Sequence, residues 1–251
     1  MTTAARELAL TFAGERAVVT GAASGIGRAT VDLLVASGIQ VLAIDLRAPQ
    51  LVSSGGASSI PAAADVRDRE ELQRAFRALP GAPAYVVNCA GILDRTGFAG
   101  VTHAAFQRVL DVNLLGAYQV IDIAGAAGML RSAVNVTSVE ASRVVALSDP
   151  DPHPAYAASK AALAMLTRTA ARAFAASGAR VNSVAPGFVA TPMAAAHGEG
   201  DELPDALRSR VPLGRFAQPR QIAEAIAFLL SDQAAYITGA ELVVDGGFAL
   251  T

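Results

Sequence analysis

Tyr156 and Lys160 lie four residues apart, and this spacing can support proton transfer. On a helix, side chains at positions i and i+4 project from one face, one turn apart. A free tyrosine has a pKa of about 10, so its phenol is a poor acid or base at neutral pH. A neighbouring ammonium group favours the phenolate and lowers that pKa. An exposed Tyr and Lys that share a helix by chance would give the same pattern, so the rest of the chain has to decide.

The elements that must position this pair alternate along the chain as short apolar runs and amphipathic segments. The predicted strands are Arg16–Thr20, Val41–Asp45, Ser59–Ala64, Ala84–Asn88, Ala133–Thr137, Arg180–Ala185 and Ala240–Val244. The predicted helices are Gly25–Ser37, Arg69–Leu79, one within Phe106–Met129, Ala155–Ser177 and Gln221–Ser231. Continuous apolar strands alternating with helices predict an α/β fold, a doubly wound parallel sheet of the Rossmann type with about seven strands and helices on both faces. We expect one domain over residues 1–251, with substrate loops at about 139–155 and 192–214.

Composition excludes several classes of protein. The chain has 251 residues, of which 53% are hydrophobic and 17% charged, which predicts a large buried core. A net charge of −2 without a basic block disfavours nucleic acid as a partner. No run of about 18 apolar residues and no signal-peptide pattern is found, so we expect no membrane association. The single cysteine, Cys89, fits a reducing cytoplasm, and three scattered histidines predict no metal site.

The first predicted strand leads into a glycine-rich loop, Thr20–Gly27 (TGAASGIG), and a helix follows. Glycines at this position permit a tight turn and the close approach of a pyrophosphate to the helix N-terminus. The predicted cofactor contacts in this loop are Gly21, Ser24, Gly25, Ile26 and Gly27. The spacing is G-x-x-x-G-x-G, and a glycine-rich turn without a ligand is the alternative. No Gly-Lys-Ser/Thr follows, so the loop is not a P-loop.

Asp45, at the end of the second predicted strand, can accept hydrogen bonds from ribose hydroxyls and would repel a 2′-phosphate. Ser24 is uncharged where a basic residue would help to hold that phosphate. Both features favour NAD(H) over NADP(H), and Arg47 is the one charge that argues the other way. Asp65 and Val66 follow the third strand, where the carboxylate can bind the adenine amino group. A helix N-cap is the alternative role for Asp65.

Together these motifs resemble the short-chain dehydrogenase/reductase family, in its compact single-domain branch. The resemblance spans roughly residues 12 to 248. The matching motifs are Thr20–Gly27, Asn88–Gly91, Asp111–Asn113, Val134–Ser138, Tyr156–Lys160 and Pro186-Gly187. Each motif is weak by itself, but their order along the chain and their positions on the predicted elements make coincidence an inadequate explanation.

The resemblance implies a catalytic set of four residues. Ser138 would polarise the substrate oxygen, and Tyr156 would donate the proton in reduction and accept it in oxidation. Lys160 would lower the pKa of the tyrosine and bind the nicotinamide ribose. Asn113 would hold a water that links Lys160 to solvent; a helix-interior amide satisfied by backbone is compatible with that role.

The resemblance also implies the remaining cofactor contacts. These are Asn88, Ala90 and Gly91 after the fourth strand, and Pro186, Gly187, Val189 and Thr191 after the sixth. The loop after the sixth strand would hold the nicotinamide carboxamide and expose the ring face that transfers the pro-S hydride. Cys89 stands where the family often has a second asparagine, and we interpret it as a packing residue.

One departure from the family concerns the substrate side. Ser138 and Tyr156 are 18 positions apart (156 − 138), more than the family's usual spacing. The extra length lies in Glu140–Pro154, where Glu140 and His153 are candidate substrate contacts; a solvated loop residue and a turn residue are their alternatives. Met193–Leu213 is the second substrate-side segment, and its glycines predict a mobile lid.

The resemblance therefore predicts an NAD(H)-dependent alcohol dehydrogenase or carbonyl reductase that acts on a small or medium secondary alcohol or ketone. A 3-oxoacyl-thioester reductase, which typically uses NADPH, is the alternative within the family. A non-enzymatic dinucleotide sensor is disfavoured by the intact catalytic set. The resemblance also implies a homotetramer, or a homodimer, through the long helices; packing of their small residues onto the sheet is the alternative.

Overall fold

The computed structural model describes residues 9–50, 58–145, 152–195 and 203–251. Within these residues, seven parallel strands form one sheet in the order β3-β2-β1-β4-β5-β6-β7. The strands are β1 Arg16–Thr20, β2 Gln40–Asp45, β3 Ser59–Ala63, β4 Tyr85–Asn88, β5 Ser132–Val136, β6 Arg180–Pro186 and β7 Glu241–Val244. The strand order reverses between β1 and β4. In a doubly wound sheet, a ligand crevice forms at that point, beyond the carboxyl ends of the strands.

The α-helices connect these strands and cover both faces of the sheet. They are α1 Gly25–Ala36, α2 Arg69–Phe76, α3 His103–Leu110, α4 Ala117–Ala126, α5 Pro154–Phe174, α6 Pro192–Ala195, α7 Asp205–Arg208 and α8 Pro219–Leu230. Each predicted strand and helix is present, with ends within a few residues of the prediction. The predicted doubly wound α/β sheet is confirmed.

Two apolar cores lie on opposite faces of the sheet because successive strand residues point to opposite sides. Val19 on β1 packs with Ile222 and Ile226 of α8 in one core, together with residues of α1. Its neighbour Val18 belongs to the other core, with Val120 of α4 and apolar residues of α2 and α5. This arrangement leaves the carboxyl edge of the sheet, rather than either face, open for a site.

The long helix predicted within Phe106–Met129 begins earlier, at His103, and it is not α-helical throughout. Asp111–Gly116 forms a π-helical segment between α3 and α4. A Cβ at Gly116 would lie 2.6 Å from the Val66 side chain, so the glycine permits this close approach. Such π segments are rare and occur mostly near functional sites.

Together, α3, the π segment and α4 (His103–Ala126) are long and apolar enough to cross a membrane by length and composition, with a mean hydropathy of 1.2 over an 18-residue window. They pack instead against β4 and α5 within the described structure. The core helix of a water-soluble protein passes the same test, so this segment is no argument for a membrane span.

Candidate active site

A cleft of about 1040 Å³ opens at the carboxyl ends of the strands, at the point where the strand order reverses. Of the predicted site residues, all but Asn88 and Asn113 line it. Those two amides are 3% and 1% exposed. The tertiary structure therefore brings together motifs that are spread over about 170 residues of sequence, from Gly21 to Thr191.

Tyr156 and Lys160 lie in the first two turns of α5, which begins with a proline at its first position. Proline is favoured there because its missing N–H would have no partner within the helix. The ammonium nitrogen of Lys160 is 5.6 Å from the centroid of the Tyr156 ring. It donates a hydrogen bond of 2.8 Å to the carbonyl of Val136 at the end of β5. Lys160 is only 5% exposed, and this bond holds the ammonium group beside the phenol.

The electrostatics of the pair differ from the prediction. Burial, together with the Glu140 carboxylate, raises the pKa of Tyr156 to about 12, against the opposing effect of a hydrogen bond with Ser138. Burial lowers the pKa of Lys160 to about 8. The desolvation free energy of the buried phenolate is larger than the stabilisation that it receives from the neighbouring protein groups. The pKa of Tyr156 therefore lies above its ordinary value, opposite to the predicted net lowering, because burial outweighs the groups that favour the phenolate.

Ser138 follows β5 and begins a short 3₁₀ turn, Val139–Ala141. Its hydroxyl accepts a hydrogen bond of 3.2 Å from the backbone N–H of Glu140. The backbone N–H of the preceding residue, Thr137, donates a hydrogen bond of 2.8 Å to the Val184 carbonyl, and its hydroxyl donates one of 2.8 Å to the carboxylate of Glu241 on β7. These bonds fix the strand end, so Ser138 is held in place beside the phenol.

Asn113 lies in the π segment and connects two walls of the site. Its Oδ1 accepts a hydrogen bond of 2.8 Å from the N–H of Ile92, and its Nδ2 donates to the Ile92 carbonyl and to Ser159 Oγ, both at 3.0 Å. A Cβ at Gly91 would lie 3.4 Å from Asn113 Oδ1 and 3.5 Å from Lys160 Nζ. The side chain of Asn113 is thus satisfied by protein groups, and the water link to Lys160 stays a prediction.

A buried chain of amides and hydroxyls ties α5 to the strands below the catalytic residues. Asn88 of β4 donates a hydrogen bond of 2.9 Å to Asn135 of β5. Asn135 in turn donates one of 2.9 Å to the Thr167 hydroxyl on α5, which bonds back to the Leu163 carbonyl. Buried polar groups are costly unless paired, so this network fixes the position of α5 relative to the sheet.

The glycine loop forms the other end of the cleft. Gly21 has a φ of +66°, and a Cβ there would lie 2.7 Å from the backbone nitrogen of Ala90. A Cβ at Gly27 would lie 2.1 Å from the carbonyl oxygen of Gly21. The loop therefore packs directly against the turn after β4, with the N-terminus of α1 facing the cleft, which suits a pyrophosphate.

Asp45 joins this loop to the end of β2. Its carboxylate accepts hydrogen bonds from the N–H of Ala23 at 2.9 Å and from its neighbour Leu46 at 2.8 Å. A carboxylate offers about four acceptor positions, so capacity remains for ribose hydroxyls. Leu46 also lines the cleft, whereas Arg47 does not. These residues fit the adenosine half of a dinucleotide.

The N-cap alternative for Asp65 is wrong. Asp68 caps α2 instead, by accepting hydrogen bonds from the N–H groups of Glu70 and Glu71. Asp65 lies in the cleft and pairs with Arg67 at 3.0 Å, and this bond lowers the pKa of its carboxyl. Arg67 was not among the predicted site residues, although its position two residues after Asp65 places a basic side chain next to the carboxylate.

The substrate end of the cleft combines an apolar wall with two polar residues. The wall consists of residues that belong to one buried cluster and contact the cleft: Val139, Val145, Phe188, Leu207 and Phe216. Glu140 and His153 line the same space. Burial raises the pKa of Glu140 to about 7, against the opposing effect of Lys160. Glu140 is thus half-buried in the cleft rather than solvated.

Parts of the two predicted substrate segments, residues 146–151 and 196–202, lie outside the described residues. The described remainder of the second segment packs through Leu207 and Val211 against Phe248. The mobile lid stays a prediction. Cys89 also lines the cleft, and burial raises the pKa of its thiol to about 12, which keeps it protonated at neutral pH.

The fold and the cleft define a dinucleotide-binding oxidoreductase, and comparisons with known proteins support this class. A family model described as Enoyl-(Acyl carrier protein) reductase matches residues 21–249. An uncharacterised short-chain type dehydrogenase/reductase of Sinorhizobium fredii is 43% identical over 94% of this chain, which spans 44% of that relative's length. The cis-4-hydroxycyclohexanecarboxylate dehydrogenase of Sinomonas cyclohexanicum is 37% identical, over 94% of this chain and 97% of the relative.

Among solved structures, a short-chain type dehydrogenase/reductase from Mycobacterium ulcerans aligns with a TM-score of 0.86 and 32% identity, over 96% of this chain and 92% of the other. The chain belongs to the short-chain dehydrogenase/reductase family. It is an oxidoreductase of a family that uses nicotinamide cofactors.

Proposed function

We propose that this protein transfers a hydride between NAD(H) and a secondary alcohol or ketone, with Tyr156 as the general acid and base. The observation that carries this proposal is the presence of Ser138, Tyr156 and Lys160 on one cleft whose other end is formed by the glycine loop and Asp45. A bound nicotinamide supplies or accepts the hydride at the substrate carbon.

The side chains of the protein bind the reacting oxygen of the substrate and transfer its proton. In reduction, Ser138 donates a hydrogen bond to the carbonyl oxygen, and Tyr156 transfers its phenolic proton to that oxygen as negative charge develops there. Lys160, held by the Val136 carbonyl, stabilises the resulting phenolate. A phenol with a pKa of about 12 is protonated at neutral pH, so the free site is ready for reduction. Oxidation runs the same steps in reverse and needs the phenolate, which alkaline pH favours.

The test of this role is Tyr156→Phe, which keeps the ring and removes the transferable proton. We expect turnover to fall by about 10³-fold or more while NADH still binds. Tyr236→Phe, at a fully exposed phenol, is the matched control and should keep full activity. Substantial residual turnover in Tyr156→Phe would refute the assigned role.

The preference for NAD(H) rests on Asp45, with the uncharged Ser24 and Leu46 beside it. Fluorescence titration of the purified protein with NADH and NADPH should give tighter binding of NADH. Asp45→Asn keeps the shape of the side chain but removes its charge, and should weaken NADH binding by about 10-fold. Asp32→Asn is the control, because Asp32 pairs with Arg28 on α1 and does not line the cleft. Tighter binding of NADPH by the unmodified protein would overturn the preference.

A 3-oxoacyl-thioester reductase is a second candidate, favoured by the acyl carrier protein named in the matching family model. The two functions differ in cofactor and substrate. Reduction of acetoacetyl-CoA with NADPH, faster than that of simple ketones with NADH, would support this second candidate.

We also propose a homotetramer, or a homodimer, in the cytoplasm. Large apolar side chains are exposed near the long helices, at Leu115, Tyr118 and Met165, and near the C-terminus, at Val243 and Leu250. Exposed apolar groups of this kind support contacts between copies of the chain. Light scattering would test the assembly, and a monomer at micromolar concentration would contradict it. Cell fractionation would test the location.

A further inference from the structure

Glu140 stands out as an ionisable side chain in the cleft that the proposed mechanism does not use. It lies on the 3₁₀ turn after β5, half-buried, and it lines the cleft with Ser138, Tyr156 and Lys160. Within the described part of the chain, its carboxylate accepts no hydrogen bond and has no ion pair. Lys160, the nearest catalytic cation, donates its hydrogen bond to the Val136 carbonyl instead.

The local fold does not require this carboxylate. The turn uses only the backbone N–H of Glu140, which bonds to the Ser138 hydroxyl. Any residue other than proline supplies that N–H. A partly buried carboxylate without a partner carries a desolvation cost, whereas an apolar side chain on the same turn would not. The acceptor atoms of Glu140 are therefore available to a group that enters the cleft.

The surroundings limit what that group can be. A hydroxyl and an ammonium can both donate to a carboxylate. An ammonium would lie in a cleft that already holds the cations of Lys160, Arg95 and Arg108, so a neutral hydroxyl is favoured. Glu140 follows Ser138 by two residues, and Ser138 meets the reacting oxygen. The hydroxyl should therefore sit on a carbon close to the reacting one, while the apolar wall holds the rest of the substrate.

We propose that Glu140 is a specificity-determining residue that binds a second substrate hydroxyl, so that the substrates are vicinal diols and the matching α-hydroxyketones. This inference rests on the proposed dehydrogenase function and names its substrate class. A mono-alcohol or simple ketone would leave the carboxylate without a partner. A site built to bind a hydroxyl discriminates strongly against an analogue that lacks it, because its own polar group is then left unpaired.

The experiment compares substrates that differ by one hydroxyl: trans-cyclohexane-1,2-diol with cyclohexanol, and 2-hydroxycyclohexanone with cyclohexanone. We expect kcat/KM to be at least about 10-fold higher for the hydroxylated member of each pair. Glu140→Leu should remove that preference, with a loss on the hydroxylated substrates that exceeds any change on the others by about 10- to 100-fold. Glu140→Gln keeps one acceptor oxygen, so its preference for the hydroxylated substrates should lie between those of the unmodified protein and Glu140→Leu.

Binding to the NADH complex of the Tyr156→Phe variant, which should keep NADH but turn over about 10³-fold more slowly, gives a second readout through NADH fluorescence. Tighter binding of 2-hydroxycyclohexanone than of cyclohexanone in this variant, lost when Glu140→Leu is added, supports the proposal. Equal binding and equal turnover within each pair would overturn it, as would equal losses on both members in Glu140→Leu. An enzyme that oxidises cyclohexanol through Tyr156 without preferring the diol would retain the proposed function and refute only the role of Glu140. A protein that binds neither NADH nor NADPH would refute the proposed function itself.

Discussion

Replacing Glu140 by Gln should stabilise the fold, and the gain should depend on pH. Burial raises the pKa of this carboxyl from its ordinary 4.5 to about 7. Between these two values the folded protein keeps a proton that the unfolded chain has lost. Stability therefore falls as pH rises from about 4.5 to 7, and the full penalty is present above pH 7. Glutamine does not titrate and removes the penalty.

The magnitude follows from the difference between the two pKa values. A difference of about 2.5 corresponds to about 3.4 kcal/mol at about 1.36 kcal/mol for each pKa step. Glu140 keeps partial contact with solvent, so we expect roughly half of this, about 1.5–2 kcal/mol. The gain of Glu140→Gln over the unmodified protein should be largest at pH 8 and close to zero at pH 4.5.

Urea denaturation of both proteins at pH 8 and pH 5, at one fixed protein concentration, measures this difference. The midpoint should shift upward for Glu140→Gln at pH 8 and much less at pH 5. Glu15→Gln, with a side chain that is 83% exposed, controls for loss of a carboxylate in general. A gain that is equal at both pH values, or equal in the control, would show that the buried position of Glu140 is not the cause. Stability gained at the expense of diol turnover would be the signature of a functional residue.

Three further results are expected. Asn135→Ala breaks the buried amide network and removes one of the two hydrogen bonds that the Asn88 amide group donates, so the free energy of unfolding should fall by about 2 kcal/mol in urea denaturation with an unchanged m-value; no loss would mean that the network is not holding α5. Gly25→Ala and Gly38→Ala both put a Cβ at positive φ, but only at Gly25 does that Cβ meet a cleft side chain, at 3.1 Å. Both variants should lose about 1 kcal/mol of stability, while only Gly25→Ala weakens NADH binding in a fluorescence titration; equal binding by both would contradict this reading of the loop. The Cys89 thiol, with its pKa raised to about 12, should react with iodoacetamide at pH 7.5 at least about 10-fold more slowly than free cysteine, as measured by mass spectrometry.

Much of the architecture could be predicted because its signals are local. The alternation of apolar strands with amphipathic helices determined the doubly wound sheet, and the glycine loop between β1 and α1 determined where a dinucleotide would enter. The spacing of Tyr156 and Lys160 required only a helix to bring the two side chains to one face. Each of these signals lies within one strand or helix, or in the turn that joins two consecutive elements. Hydrophobic periodicity and turn chemistry act over this range of sequence.

The tertiary structure decided what depends on burial and on contacts between distant segments. It joined Val145 and Leu207 in one apolar wall, which no local pattern relates. It also reversed the expected pKa of Tyr156 and placed Glu140 within the cleft. Desolvation and Coulomb interactions depend on every element that surrounds an ionisable group. Their sizes are therefore set only in the folded structure, where distant segments of the chain lie next to that group. The sequence by itself predicted an oxidoreductase, and the packing around Glu140 decided the polarity of the cleft wall to which we assign substrate selection.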